Sequence, residues 1–416
     1  MSAVALPAGA TPDGRVLRRR LRRAQRLRRL EAAALIAPLF LFLLAFFLLP
    51  IAGMLVRSVE NPELRATMPE TAALVRAWDG EGLPDERTFR ALAAEMRATY
   101  EARTLADAAK RLDADLEGSR RLIFGTARRL PDTPEGSWRD TLTGIDPAWG
   151  EAAIWGAIRR AAAPITPLYL LAAVDRQFDE GGEVVSVPDE RAIYVDILLR
   201  TFWIGLVVTL LCLALGFPLA YKLAQLPPRI SNLLMILVLL PFWTSLLVRT
   251  AAWVVLLQRE GPINDALQAL RLTDAPLQLV YNRFGVYIAM THILLPFMVL
   301  PLYSVMRGIR PEYTRAAASL GARPLIAFWR VYLPQTVPGI AAGCLLVFIL
   351  AIGYYITPAL VGGANDQMVS YFVAFFTNQT VNWGMASALG TVLLIATLCL
   401  YALYARIIGI DRFRLS

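Results

Sequence analysis

Six long stretches without a charged residue decide what this chain can fold into. They are 32–56, 201–221, 230–248, 284–306, 337–361 and 384–405. An α-helix rises about 1.5 Å per residue, so about 20 apolar residues cross a hydrocarbon core roughly 30 Å thick. Each stretch is therefore read as a membrane-spanning helix. Backbone polar groups find no water in lipid, and a helix satisfies its own. Composition agrees. Of 416 residues 56% are hydrophobic and 18% charged, against about 45–50% and 25% in soluble domains. The spacing of the stretches is uneven, because 58–197 separates the first from the second.

The formal charge is +9. Nine basic residues fall between positions 15 and 29, directly before the first apolar run. They form the flank that a cytoplasmic positive-inside signal requires. No nucleic-acid fold signature accompanies them, and nucleic acid is not expected as a partner. The first apolar run is longer than the 7–15 residues of a cleavable signal core and reads as an uncleaved anchor. With both termini inside, segments 1–33, 222–229, 307–330 and 406–416 carry 19 basic and 4 acidic residues. This expectation gives a multi-pass protein of a bacterial inner membrane with cytoplasmic N- and C-termini. Cys212, Cys344 and Cys399 lie inside or beside apolar runs, and the single His has no second His to share a metal. No cofactor or metal is expected.

The chain divides into a basic tail at 1–31, a first transmembrane helix at 32–57, an outer insertion at 58–197 and a membrane core at 198–416. The insertion holds 17 basic and 25 acidic residues. Phe89, Leu92, Met96, Tyr100, Leu105, Ala109, Leu112, Leu116 and Leu122 recur at helical spacings and predict a helical hairpin or short coiled coil. Residues 183–186 predict a short strand. The apolar piece 161–174, hemmed by Arg159, Arg160, Pro164 and Pro167, is too short to cross. In the third span Arg249 ends the run, and 250–257 is expected at the interface or inside the bundle.

Between the fourth and fifth spans, 307–335 predicts a helix that starts at Pro311 and stops at Gly321. A second helix is expected to follow and end at Pro334. Its residues include Arg315-Ala316-Ala317-Ala318-Ser319-Leu320-Gly321 and, downstream, Phe328, Leu333 and Pro334. Physically this is a small-sided helix on the cytoplasmic face, able to seat in a groove of another protein or to serve as an interfacial connector.

This segment resembles the "EAA…G" coupling loop of ABC importer permeases. Ala316, Ala317 and Gly321 keep its spacing; Arg315 departs from it, where the family usually carries Glu. Further stretches resemble the spermidine/putrescine branch: Gly216-Phe217-Pro218, Pro241-Phe242-Trp243-Thr244, Leu295-Pro296-Phe297 and Thr357-Pro358-Ala359 through Gly362-Gly363. The resemblance implies an all-α membrane protein with six transmembrane helices of the type I ABC importer permease fold. It also implies ABC ATP-binding subunits, a second permease subunit, a periplasmic solute-binding protein and a small solute as partners. Arg315, Ala316, Ala317, Leu320, Gly321, Phe328 and Pro334 become candidate ATPase-coupling residues. The cargo implied is a polyamine, with ferric ion, an opine or a phosphonate as rivals. A secondary carrier and a membrane-anchored sensor are the rival classes.

Four residues are weighed for the passage. Arg249 either reaches lipid headgroups or meets cargo or binding protein. His292 either bonds across the bundle or lines the passage. Trp243 and Tyr303 either pack or line it. Gly362-Gly363 is expected as a flexible connector, and Asp366 as a contact to the binding protein or to water. No phosphate-binding glycine loop ending in Lys-Ser or Lys-Thr occurs, so ATP chemistry is assigned to a partner.

Overall fold

A computed structural model describes residue 25 and residues 31–134, 136–179 and 181–408. The basic run between positions 15 and 29, apart from Gln25, and the last eight residues lie outside this description. The first helix, Glu31–Arg57, belongs to a separate unit, Met1–Val56, and its side chains are exposed along almost its whole length. It contains one π-helical turn, Leu44–Leu48. Pro50 follows after Leu49. A proline ring clashes with the carbonyl four residues back, and a wider turn moves that carbonyl aside.

Among the described residues the second unit is helical apart from one antiparallel pair, Arg176–Phe178 with Val184–Ser186, and one isolated bridge, Glu60 with Ile165. Among the described residues, five helices are long and apolar enough to cross a membrane, or six if one bent pair counts as a single span. The chain is thus an all-α, multi-spanning membrane protein with a large helical insertion between its first two spans.

Helices Tyr194–Gln225, Arg283–Gly308 and Leu333–Gly353 form the centre of the bundle, packed around Ile204, Met290, Leu294, Met298 and Val347. Close approach depends on glycine. A Cβ at Gly216 would lie 3.0 Å from Met298 Cγ, and one at Gly343 would lie 2.7 Å from Met298 Sδ. Lipid supplies no hydrophobic force between helices, so small residues that admit close contact hold them together.

The third and fifth spans differ from their sequence readings. The third is a helix, Pro228–Leu239, with a 3-10 turn, Leu240–Trp243, followed by Leu246–Leu257 after a bend of 96°. Pro241 interrupts the backbone ladder, Thr244 is extended, and Ser245 caps the new helix by accepting from Val248 N–H at 3.2 Å. The fifth helix ends at Gly353, and Ile356–Val361 is a separate short helix. The uncharged run 337–361 concealed that break, since hydropathy carries no direction.

The insertion builds a water-soluble style of core. Phe89, Trp149 and Trp155 are buried at its centre, with ring centroids 4.6 Å apart for Phe89–Trp155 and 6.0 Å for Trp149–Trp155. Each indole N–H has a partner: Trp149 donates to Thr126 Oγ1 at 2.8 Å and Trp155 to Trp149 O at 3.0 Å. The expected hairpin is instead several short helices, including Glu86–Glu101, Leu105–Asp113 and Ser119–Arg129, wrapped round those aromatics. Arg103 and Gly118, both at positive φ, turn the chain between them. Asn61 ties the beginning of the insertion to its end. Its amide donates to Arg160 O, Ala161 O and Ala163 O, and its Oδ1 accepts from buried Arg111.

The insertion is seated on the bundle through Leu168, Tyr169 and Ala173, which pack with Ile197, Val369, Met385 and Leu389. The ring of Tyr169 occupies the space a side chain at Gly384 would need. Lys110 Nζ donates to Thr380 O. Burial outweighs the nearby Asp107 and Glu63 charges and lowers the Lys110 pKa from its ordinary value. The non-spanning piece around 161–174 is therefore the joint between insertion and bundle.

Candidate functional site

The loop between the fourth and fifth spans carries one helix, Glu312–Ser319, none of whose residues is buried. Pro311 precedes it, a proline being compatible with a helix start. Gly321 ends it at φ +85°, in the left-handed region where a side chain is unfavourable. Gly321 N–H reaches Ala318 O at 2.9 Å and Ala322 N–H reaches Ala317 O at 3.0 Å, closing the last turn. Tyr313, Ala316, Ala317 and Leu320 lie three and four apart and share one face. Leu320 is 89% exposed, and beside it Ala316 is exposed and Ala317 half-buried, both with only a methyl side chain. Arg315 is exposed and makes no ion pair with a described residue.

The opposite face of this helix, through Thr314 and Ala318, borders a cavity of about 580 Å³. The ends of the second and fourth spans line its other side through Tyr221, Ala224 and Met306. Arg307 clamps these two ends, donating to Ala224 O at 3.0 Å.

The second helix of the loop does not end at Pro334. It begins at Pro324 and continues into the fifth span as Pro324–Gly353. A π-helical turn, Phe328–Tyr332, ends one residue short of Pro334 and absorbs it as the earlier one absorbs Pro50. Phe328 therefore occupies an elbow. Its ring meets Phe217 edge-on at 6.2 Å and Tyr221 edge-on at 5.8 Å, and stacks with Tyr332 at 5.8 Å. Tyr221 also meets Tyr332 at 5.2 Å. Phe217 and Tyr221 are one helical turn apart, as are Phe328 and Tyr332, so two i,i+4 aromatic pairs interlock. Sequence reasoning reached Phe328 alone; the matching spacing of the other three was the signal available.

The four passage candidates sit on three elements: Trp243 on Leu240–Trp243, Arg249 on Leu246–Leu257, and His292 and Tyr303 on Arg283–Gly308. Trp243, at the bend of the third span, is 80% exposed. Tyr303 OH lies 3.2 Å from Ser231 Oγ, which bonds Leu223 O at 2.9 Å and so joins the fourth, third and second spans. His292 Nδ1 accepts from Trp253 Nε1 at 3.1 Å, a bond between the fourth span and Leu246–Leu257. Arg249 is half-buried, and its Nε and Nη1 are buried without a hydrogen-bond partner among the described residues. It lies within electrostatic reach of His292 and Tyr354. Arg249 and His292 thus share a neighbourhood.

Two readings beside the fifth span are corrected. Gly362 and Gly363 are points of close approach, not a loose connector: a Cβ would lie 2.6 Å from Pro358 O and 2.8 Å from Tyr281 O, respectively. Asp366 is buried, caps Gly363 N–H at 3.1 Å and pairs with Arg283 at 2.9 Å. It is therefore an internal anchor and not a free contact.

Residues 196–409 match the family described as binding-protein-dependent transport system inner membrane component. The spermidine/putrescine transport system permease protein PotB of Escherichia coli (strain K12) is 36% identical over 214 residues, covering 51% of this chain and 78% of that protein. The protein of the same description from Haemophilus influenzae is 35% identical over 208 residues, covering 50% and 73%. The inner membrane ABC transporter permease protein YdcU of Escherichia coli (strain K12) is 33% identical over 232 residues, covering 51% and 72%. The family match begins at Asp196, so the first helix and nearly all of the insertion lie outside it.

Proposed function

Because this chain belongs to the binding-protein-dependent transport system inner membrane component family, the permeases of ABC importers, we propose that Glu312–Ser319 is the element by which an ATP-binding subunit moves its spans. The chain is a multi-pass inner-membrane permease component for a small solute delivered by a periplasmic binding protein. It is a transport subunit and not an enzyme.

In this proposal the face of Tyr313, Ala316, Ala317 and Leu320 enters a cleft on the ATP-binding subunit. Gly321 lets the helix end abruptly, and Arg315 meets a carboxylate where related permeases present one of their own. When the ATP-binding subunits close, the pull on this helix passes to the Phe328 elbow. The interlocked rings carry it to the second span through Phe217 and Tyr221, and the continuous Pro324–Gly353 helix carries it to the fifth. A second permease subunit, identical or related, completes the passage. The N- and C-termini lie on the cytoplasmic side with the coupling helix, and the insertion lies outside.

The cargo proposed is a polyamine, supported by the naming of the PotB relatives as spermidine/putrescine permeases. The apolar runs from 201 onward contain no carboxylate to select such a cation, so selection is assigned to the binding protein. Arg249, with Trp243, His292 and Tyr303, is proposed to border the passage.

The exposed small-residue face ending at Leu320 and Gly321 carries this proposal. Its test is uptake and ATP-binding-subunit association in an Ala317→Asp variant. Both are expected to fall while the thermal melt of the purified permease stays unchanged. Unaltered uptake in that variant would contradict the coupling role.

A further inference from the structure

Two cavities on the second unit share Leu206, Phe348 and Leu400, and together make one slot between the second, fifth and sixth spans. The lower part, about 290 Å³, is almost wholly apolar and is bordered by Leu210, Leu345 and Ile349. The upper part, about 830 Å³, opens at the insertion's end of the bundle beside Asp196, Arg200, Arg283 and Trp203. We propose that this slot holds a phospholipid with a phosphate-and-primary-ammonium headgroup, one acyl chain lying in the lower part and the headgroup in the mouth.

An apolar lower part joined to a charged mouth matches the two parts of a lipid, a tail and a headgroup. Charge decides the headgroup. Arg200 and Arg283 each pair with a carboxylate, Asp196 and Asp366, and a guanidinium has five N–H groups, so each keeps donors suited to a phosphate. The Asp196 side chain is 70% exposed and remains open to an ammonium although it also pairs with Arg200. Trp203 is 56% exposed beside these charges, as tryptophans are at a membrane–water boundary. The acyl chain gains little by leaving other lipid, because bilayer tails are as apolar as the slot. Retention therefore rests on the mouth.

The test uses the full chain, with its partner subunits, in vesicles of equal phosphatidylethanolamine, phosphatidylglycerol and phosphatidylcholine. Each lipid in turn carries a photoreactive acyl chain. Phosphatidylethanolamine is expected to label the peptides around Leu206, Phe348 and Leu400 roughly three- to tenfold more than the other two, the range for a partly exposed charge-assisted contact. Phosphatidylcholine has no N–H to give Asp196, and phosphatidylglycerol has no ammonium. Asp196→Asn should erase the preference, and Arg200→Gln should lower labelling by all three. Cys344→Trp, which fills the slot, should remove the label there and leave that on Leu233 and Leu237 unchanged. Labelling no stronger than at Leu233 and Leu237, no headgroup preference, or crosslinking of a protein segment into the slot would each overturn the proposal.

Discussion

The insertion and the bundle are two solutions to burial written in one chain. The insertion places its largest rings, Trp149, Trp155 and Phe89, at its centre and gives each indole N–H a partner. It even buries charge, since Arg111 and Asp115 pair with no side-chain exposure and Arg160 completes the network. The bundle does the reverse. Leu199, Trp203, Leu233 and Leu237 face outward, while glycines at 205, 216 and 343 mark the closest contacts between its helices. One region is organised against water and the other against lipid. Their cores are separate clusters, so each should fail in its own way.

The largest effect is expected at the insertion's centre. Trp155→Ala should cost the insertion about 3–5 kcal/mol. Proteolysis should then cut 58–197 rapidly while the bundle fragment survives. Simultaneous loss of both would show that the two regions fold as one. Next in size is the bundle's own weak point. Gly343→Leu drives a side chain into Met298 and should cost about 1–3 kcal/mol. It should lower the detergent melting temperature without altering tryptophan fluorescence from the insertion.

Smaller effects sharpen the contrast at the two ends of the molecule. Gly321→Ala places a Cβ at φ +85° and should cost about 1 kcal/mol. Since nothing lies within 4 Å of that Cβ, the loss should be conformational and confined to the loop. Asp85 caps Glu86–Glu101 through Thr88, whose hydroxyl and N–H hold its carboxyl below the ordinary carboxylate range. Asp85→Ala should cost about 1 kcal/mol. The stabilisation by Asp85 is present above the ordinary carboxylate pKa and disappears as pH falls through the lowered folded-state value. The difference in melting temperature between wild type and variant should therefore shrink on acidification.

Much of this division was legible in the residues. Charge-free length located the spans, and helical spacing in the insertion located Phe89, Leu92, Met96, Leu105 and Leu112 in its core. The turn at Gly321 and the strand near 184–186 also follow from local chemistry. Direction did not. The 96° bend at Thr244–Ser245 and the end of the fifth helix at Gly353 both fall inside apolar stretches, where hydropathy is the same on either side. Likewise, Asp366 looked available because its partner Arg283 is 83 positions away. In the site, the exposed face proposed for coupling was readable from small residues at helical spacing. The aromatic elbow was not, because Phe217 and Phe328 meet only after the second and fifth spans pack.

Cysteine crosslinking from Leu320→Cys, in the assembled importer, tests the coupling role of this loop most directly. A bifunctional thiol reagent short enough to report contact should join this position to the ATP-binding subunit, with a yield that changes between ATP-bound and ATP-free states. The same reagent at Leu233→Cys, on the outward face of the third span, should give no such product. Absence of the Leu320→Cys adduct, with the importer intact and active, would contradict the role assigned to Glu312–Ser319.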